Sequence, residues 1–320
     1  MGFLPLPHKW ISGHGRAARR RVVGALLPAA LLAACQPKTE PTAPAPSAAL
    51  RSPAFSPDST RLAFVVEAGV GMPASGPGLY IMETGTGTAT LMSASGNWPT
   101  WAPDGQRVAY ANPALTKTNV SNLVTTELTS FSVEFPAWSP ASALIAYCTG
   151  QGDPHGFHSI STMWEDGTHQ TDISVHGAGE WLWPAWSPSG HWLAHTRITP
   201  GANVAQIYVM TAQGDSARQL SFSGAHEEQP AWSPDSQYVA FMRVTSGTRG
   251  VWVMHTDGSG ARFVAGGRDP HWLPHAHALI YSLGSPENVS ALGIVDIDGT
   301  NRRLVVPRFA APGAGHPRSR

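Results

Sequence analysis

Charge is scarce in this chain of 320 residues: Asp, Glu, Lys and Arg make up only 13% of it. Cysteine is nearly absent, with Cys35 and Cys148 alone. The apolar run at residues 22–34 spans 13 residues and contains Pro28. Each shortage excludes something. Two cysteines cannot form a disulfide framework for a domain of this size. Thirteen apolar residues fall short of the ~20 that a helix needs to cross a bilayer. The basic residues form no stripe that could follow a phosphate backbone, so nucleic-acid binding is set aside. No Gly-x-Ser-x-Gly elbow occurs, and Thr84-Gly85-Thr86-Gly87 lacks the third glycine of a nucleotide loop and reads as a hairpin turn. Against these absences stand 33 glycines, 28 prolines and 12 tryptophans. Abundant aromatics with little charge argue against disorder, and frequent Gly and Pro argue against long helices, which leaves a turn-rich all-β domain.

The first 34 residues carry Lys9, Arg16, Arg19, Arg20 and Arg21 and no acid. Taking those five cations from 21 leaves 16 against 21 acids, so the remainder carries about −5. The basic cluster, the 13-residue apolar run and the ending Leu32-Ala33-Ala34-Cys35 resemble a lipoprotein signal peptide (residues 1–34) with its lipobox. The resemblance implies cleavage before Cys35 and its lipidation with palmitate-type acyl chains. More than one chain is needed for stable anchoring, since each buried methylene contributes about 0.8 kcal/mol. Gln36 in place of aspartate points to the outer membrane, facing the periplasm. Arg19-Arg20-Arg21-Val22-Val23 is compatible with either Sec or twin-arginine export. Residues 35–50 read as the lipidated cysteine and a Pro/Ala-rich tether, and 308–320 as a flexible C-terminal tail. With Cys35 acylated, Cys148 has no partner within the chain and reads as a buried, inert thiol in a strand-like run.

Between these ends, one motif recurs six times. It runs Pro53-Ala-Phe-Ser-Pro-Asp-Ser-Thr-Arg-Leu-Ala-Phe64 in the first copy and Pro230-Ala-Trp-Ser-Pro-Asp-Ser-Gln-Tyr-Val-Ala-Phe241 in the fifth. The anchoring aromatics are Phe55, Trp101, Trp138, Trp186, Trp232 and Trp272. The aromatic closes a strand, Pro presets φ for a tight turn, Asp or Ser and Gly complete it, and an alternating strand follows. A later strand such as Ile207-Tyr-Val-Met210 and a Gly-rich hairpin bring each copy to four strands. Four strands at a period of about 40–48 residues is what a propeller blade requires. The expectation is a six-bladed all-β propeller of four-stranded antiparallel blades over residues 51–307. The second copy is the least regular, because residues 116–129 fit either its third or its fourth strand.

The unit Pro-x-Trp-Ser-Pro-Asp-Gly/Ser-x-x-Ile/Val-Ala-Phe, followed by Ile-Tyr-Val-Met and a Gly turn, resembles the TolB-type propeller repeat. TolB proper has a mixed α/β domain ahead of its propeller, where this sequence has the tether. The resemblance implies a protein-binding or scaffold module of the cell envelope, with another envelope protein as partner, for instance a peptidoglycan-associated lipoprotein. The expectation is therefore a binding protein without cofactor rather than an enzyme. A related propeller, that of oligogalacturonate lyases, uses a histidine-rich metal site in its channel, so a metal-dependent polysaccharide lyase or hydrolase, or a glycan-binding propeller, is the alternative. Its candidate ligands are His271, His275 and His277, with His155 and His158 near Asp153 as a second cluster.

Function has to be argued from a site rather than from a fold. The residues leading into each innermost strand ring the channel mouth: Arg51-Ser52, Asn97-Trp98, Glu134-Phe135, Leu182-Trp183, Glu228-Gln229 and Arg268-Asp269. Aromatics rimmed by charge have the anatomy of a binding surface, and Trp is favoured where binding energy concentrates. The expected contact face is Trp98, Glu134, Phe135, Trp181, Trp183, Glu228 and Arg268. The other reading is that the aromatics fold inward and plug the channel.

Overall fold

The computed structural model describes residues 49–69, 72–149, 158–174, 179–199, 201, 204–284 and 291–311, all within one unit, Pro41–Arg320. The leader, Cys35, nearly all of the tether, Asp153, His155 and the last nine residues lie outside the described residues.

Twenty-four strands are formed among the described residues. The first blade is β1 (Leu50–Phe55), β2 (Arg61–Val66), β3 (Gly78–Glu83) and β4 (Thr88–Ser93). The second contains β5 (Asn97–Trp101), β6 (Arg107–Asn112), β7 (Ala114–Asn119) and the first part of β8 (Thr125–Trp138). The rest of β8, with β9 (Leu144–Thr149), β10 (Ser159–Trp164) and β11 (Thr171–Asp172), makes the third. The fourth is β12 (Glu180–Trp186), β13 (Trp192–Ile198), β14 (Ala205–Thr211) and β15 (Arg218–Gln219). The fifth is β16 (His226–Trp232), β17 (Tyr238–Thr245), β18 (Thr248–His255) and β19 (Arg262–Gly266). The sixth is β20 (Arg268–Trp272), β21 (Ala278–Leu283), β22 (Ala291–Asp296) and β23 (Arg303–Val305), and β24 (Arg308–Phe309) ends the series. Within each blade the strands pair antiparallel in chain order. Successive innermost strands β1, β5, β8, β12, β16 and β20 are neighbours, and β20 returns to β1, so the ring closes on six.

The irregular second copy has a simple cause. β8 is 14 residues long. Its first part pairs with β7 and its last part with β9, so the chain leaves one blade and starts the next without a loop.

The motif's turn works through its serine. Ser56 Oγ donates to Asp58 Oδ1 (2.6 Å) and accepts from the Arg61 backbone N–H (2.9 Å). Ser233 repeats this with Asp235 (2.6 Å) and Tyr238 (2.8 Å). The Ser56 hydroxyl holds the Asp58 carboxyl below the usual carboxylate range.

The core is divided among the six seams. Leu62, Phe64 and Val66 face the sixth blade, and Ala63 and Val65, alternating with them, face the second. The Ala-aromatic pair of the motif is explained by this alternation. The aromatic fills one seam, and the alanine leaves room in the other for the next blade's Trp, as Ala63 does for Trp101. Three of these tryptophans also tie seams by hydrogen bonds: the indoles of Trp101, Trp186 and Trp272 donate to the carbonyls of Ala54 (2.8 Å), Ala137 (3.0 Å) and Ala231 (2.9 Å). Arg61 and Arg107 lie over the rings of Trp101 and Trp138 in the adjacent blade (5.2 and 5.3 Å).

Two boundaries differ from expectation. Leu50, placed in the tether by sequence, is buried and opens β1. Arg308 and Phe309, placed in the flexible tail, pair parallel with Thr88 and Ala89 of β4. The Phe309 ring packs edge-on against Tyr80, with centroids 5.2 Å apart. Burial of that ring holds the segment, and it fastens the chain leaving the sixth blade to the outer edge of the first.

Candidate functional site

Every innermost strand carries one extra residue relative to its partner, at the same place in all six blades. Arg51 pairs with Val65 and Ala54 with Ala63, so three steps on β1 oppose two on β2. This is a β-bulge, which bends a strand and re-aims a side chain. The residue in the bulge is left-handed each time: Ser52, Trp98, Phe135, Trp183, Gln229 and Asp269 have φ between 48° and 59°. None is glycine, and each precedes the proline of the motif. A left-handed conformation costs a non-glycine residue on the order of 1–2 kcal/mol, and such strain concentrates at functional sites. Gly96, two residues before Trp98, has φ 134°, and a Cβ there would lie 2.6 Å from the Tyr110 ring.

The six bulge residues and the six prolines that follow them line one cavity of about 130 Å³. Its wall has two halves. Over the second, third and fourth blades the rings of Trp98, Phe135 and Trp183 touch in sequence, with centroids 4.4 Å apart at each step. Over the fifth, sixth and first blades the wall is a closed hydrogen-bond network. Gln229 Nε2 donates to Asp269 Oδ1 (2.6 Å), and Gln229 Oε1 accepts from the Asp269 backbone N–H (3.0 Å). Asp269 Oδ2 accepts from Ser282 Oγ (2.9 Å) and the Ser52 backbone N–H (3.3 Å). The three rings are half-buried, so they neither close the channel nor stand free in solvent.

The residues one step outward make the rim. Arg51 pairs with Glu67 and donates to Asn97 Oδ1 (2.6 Å). His158 lies between Glu134 (3.7 Å) and Glu180 (3.6 Å). Glu228 pairs with His226, and Arg268 Nε is 3.8 Å from Asp269 Oδ2. Next to Glu228, Glu227 is fully buried and held by Arg243 (2.6 Å) and Ser223 Oγ (2.8 Å). Of the expected contact residues, Trp98, Phe135 and Trp183 line the cavity, and Glu134, Glu228 and Arg268 stand on its rim.

Trp181 requires correction. It is 1% exposed and stacks on His195 at 4.6 Å, under the Arg197 guanidinium at 4.9 Å, so it belongs to the core rather than to any contact face. Two residues apart on a regular strand, Trp181 and Trp183 share a face, but the bulge after Leu182 turns Trp183 alone into the channel. His195 is itself fully buried, and burial pushes its imidazole down to about 3.

The histidine candidates do not converge. His271 lines the cavity, but its Nδ1 lies 3.1 Å from the Trp272 carbonyl, and burial lowers its pKa. His275 and His277 are exposed on the β20–β21 turn, where His277 faces Asp235 at 3.6 Å. Among the described residues no three His, Cys, Asp or Glu side chains are grouped to hold a metal ion. Cys148 is buried, with Sγ 3.5 Å from the Trp181 carbonyl, and burial raises its thiol far above the ordinary range.

Residues 99–311 match the TolB beta propeller domain family. The chain belongs to that family. No curated protein matches its sequence. Among solved structures this TolB-type propeller is similar to TolB from Acinetobacter baumannii, with 21% identity and a TM-score of 0.66 over 76% of this chain and 63% of that one. The chain thus spans under two thirds of that protein's length. The putative TolB from Agrobacterium tumefaciens is 18% identical, with a TM-score of 0.62 over 72% of this chain and 92% of its own. An oligogalacturonate lyase in complex with manganese is 13% identical, with a TM-score of 0.54 over 81% of this chain and 77% of that one. At these identities the likenesses establish the fold alone.

The sequence reading did not single out Gln229 and Asp269 as half of the wall, nor the prolines as lining. The signal was present, since each bulge residue is the one before the motif's proline.

Proposed function

We propose that this propeller is a protein-binding module of the cell envelope that docks its partner over the channel mouth. The observation that carries this reading is the arc of Trp98, Phe135 and Trp183, three large rings held half-buried at strained positions beside a rim of charge. Aromatics at the centre of a patch with a polar rim are where binding energy concentrates. The family supports an envelope setting, with another envelope protein as partner, such as a peptidoglycan-associated lipoprotein. The leader and Cys35 support a lipid-anchored, periplasm-facing location at the outer membrane.

Replacing Trp98 and Trp183 together by Ala tests the reading. Capture of the partner from envelope extracts should be lost while the thermal unfolding curve keeps its cooperativity. Undiminished capture overturns the assignment. Trp181 is unsuitable for this test, because its loss empties a seam.

A further inference from the structure

We propose that the channel mouth is a cage for one cationic side chain, a lysine ammonium presented by a protruding loop of the protein partner. This rests on the docking face assigned above and adds the chemistry that the face selects.

Three features argue for a cation. Trp98, Phe135 and Trp183 line half of the cavity, and aromatic rings attract ammonium groups through the negative side of their quadrupole. In the other half of the wall, Asp269 is fixed by Gln229, Ser282 and Ser52, with Arg268 Nε 3.8 Å from its Oδ2, so the cavity holds a carboxylate that does not have to reorganise. The charge around the mouth has the matching sign. Arg51, Arg243 and Arg268 pair with Glu67, Glu227 and Asp269, which leaves Glu134, Glu180 and Glu228 as a formal charge of −3 on the rim, with the histidines counted as uncharged.

Size and hydrogen bonding narrow the class. A cavity of about 130 Å³ has room for one side-chain head. Both ends of the Gln229 amide and both oxygens of Asp269 are already engaged, so this half of the wall offers its charge rather than free hydrogen-bonding groups. The bulges and the six prolines hold the lining in place before the partner arrives, and such preorganisation lowers the entropic cost of binding.

The test uses the full-length protein labelled at its indole nitrogens, with N-acetyl-lysine-N-methylamide as probe. The neutral isostere N-acetyl-norleucine-N-methylamide and the anionic N-acetyl-glutamate-N-methylamide are the comparisons. The lysine probe should shift the Trp98 and Trp183 indole resonances and leave the exposed Trp164 and Trp192 unmoved. It should bind about 3- to 30-fold more tightly than the isostere, the range expected for a cation over aromatic faces. Added salt should weaken it. Phe135→Ala should abolish the preference. Should that variant unfold, Glu134→Gln on the rim is the milder probe and should reduce it. Equal binding of the isostere, or tighter binding of the glutamate probe, overturns the inference. If the probe fails while Trp98→Ala with Trp183→Ala still abolishes partner capture, the docking face stands and only the cage is lost.

Discussion

His195 occupies the position filled by Phe64, Tyr110, Tyr147, Phe241 and Tyr281 in the other five blades. It is buried between Trp181 and Tyr208 (ring centroids 4.6 and 5.9 Å). Its Nδ1 lies 3.3 Å from the Thr196 carbonyl, and its Nε2 has no partner among the described residues. Taken out of water, the imidazole resists protonation down to a pKa of about 3, against 6.5 for an ordinary histidine. The unfolded chain therefore binds a proton that the folded chain refuses between these two values. Stability from this group is complete above about pH 6.5 and is lost progressively as pH falls towards 3. The slope approaches 1.4 kcal/mol per pH unit, and the loss at pH 5 relative to pH 7.5 is about 2 kcal/mol. Replacing His195 by Phe gives this blade the ring of its sister blades and deletes the unpaired nitrogen. His195→Phe should be as stable as the parent at pH 7.5 and more stable by about 2 kcal/mol at pH 5. Urea unfolding followed by tryptophan fluorescence at the two pH values measures this. If both proteins lose stability equally on acidification, His195 is not the group that refuses the proton, and the reasoning fails.

Other seams give further predictions. Trp101→Phe removes an indole hydrogen bond to Ala54 and should cost about 1–2 kcal/mol, whereas Trp138→Phe deletes an N–H that is already unpaired and should cost less; parallel urea midpoints compare them. Arg243→Met strands the fully buried Glu227 and should cost about 3–5 kcal/mol, with Arg243→Met and Glu227→Gln together recovering much of it in the same assay. Phe309→Ala should lower stability by about 2 kcal/mol, since its half-buried ring anchors β24 to the first blade, and amide exchange should quicken first at Ala310.

The blades were legible because the motif states its own packing. Ser and Asp build the turn, Ala and the following aromatic divide the seams, and six copies bury what one cannot. Ring closure followed from the count. What escaped was whatever broke the period. Trp181 and Trp183 differ in fate because of a bulge that no alternation reveals, and residues 116–129 were ambiguous because β8 runs through a blade boundary. Arg308 and Phe309 form too short a strand to leave a pattern. In the site, the aromatic arc could be anticipated from residue type alone. The polar half could not, since it is made by Gln229 and Asp269 bonding to each other across adjacent blades.

Partner docking over the mouth is tested most directly by site-specific photo-crosslinking in intact envelopes. One probe stands at Glu134 on the rim and another at Asp104, in the turn at the other end of the strands. A single protein adduct from position 134, absent from position 104 and lost when Trp98 and Trp183 are both Ala, is the result expected. Equal adducts from the two positions, or an adduct from 134 that survives loss of both rings, would contradict it.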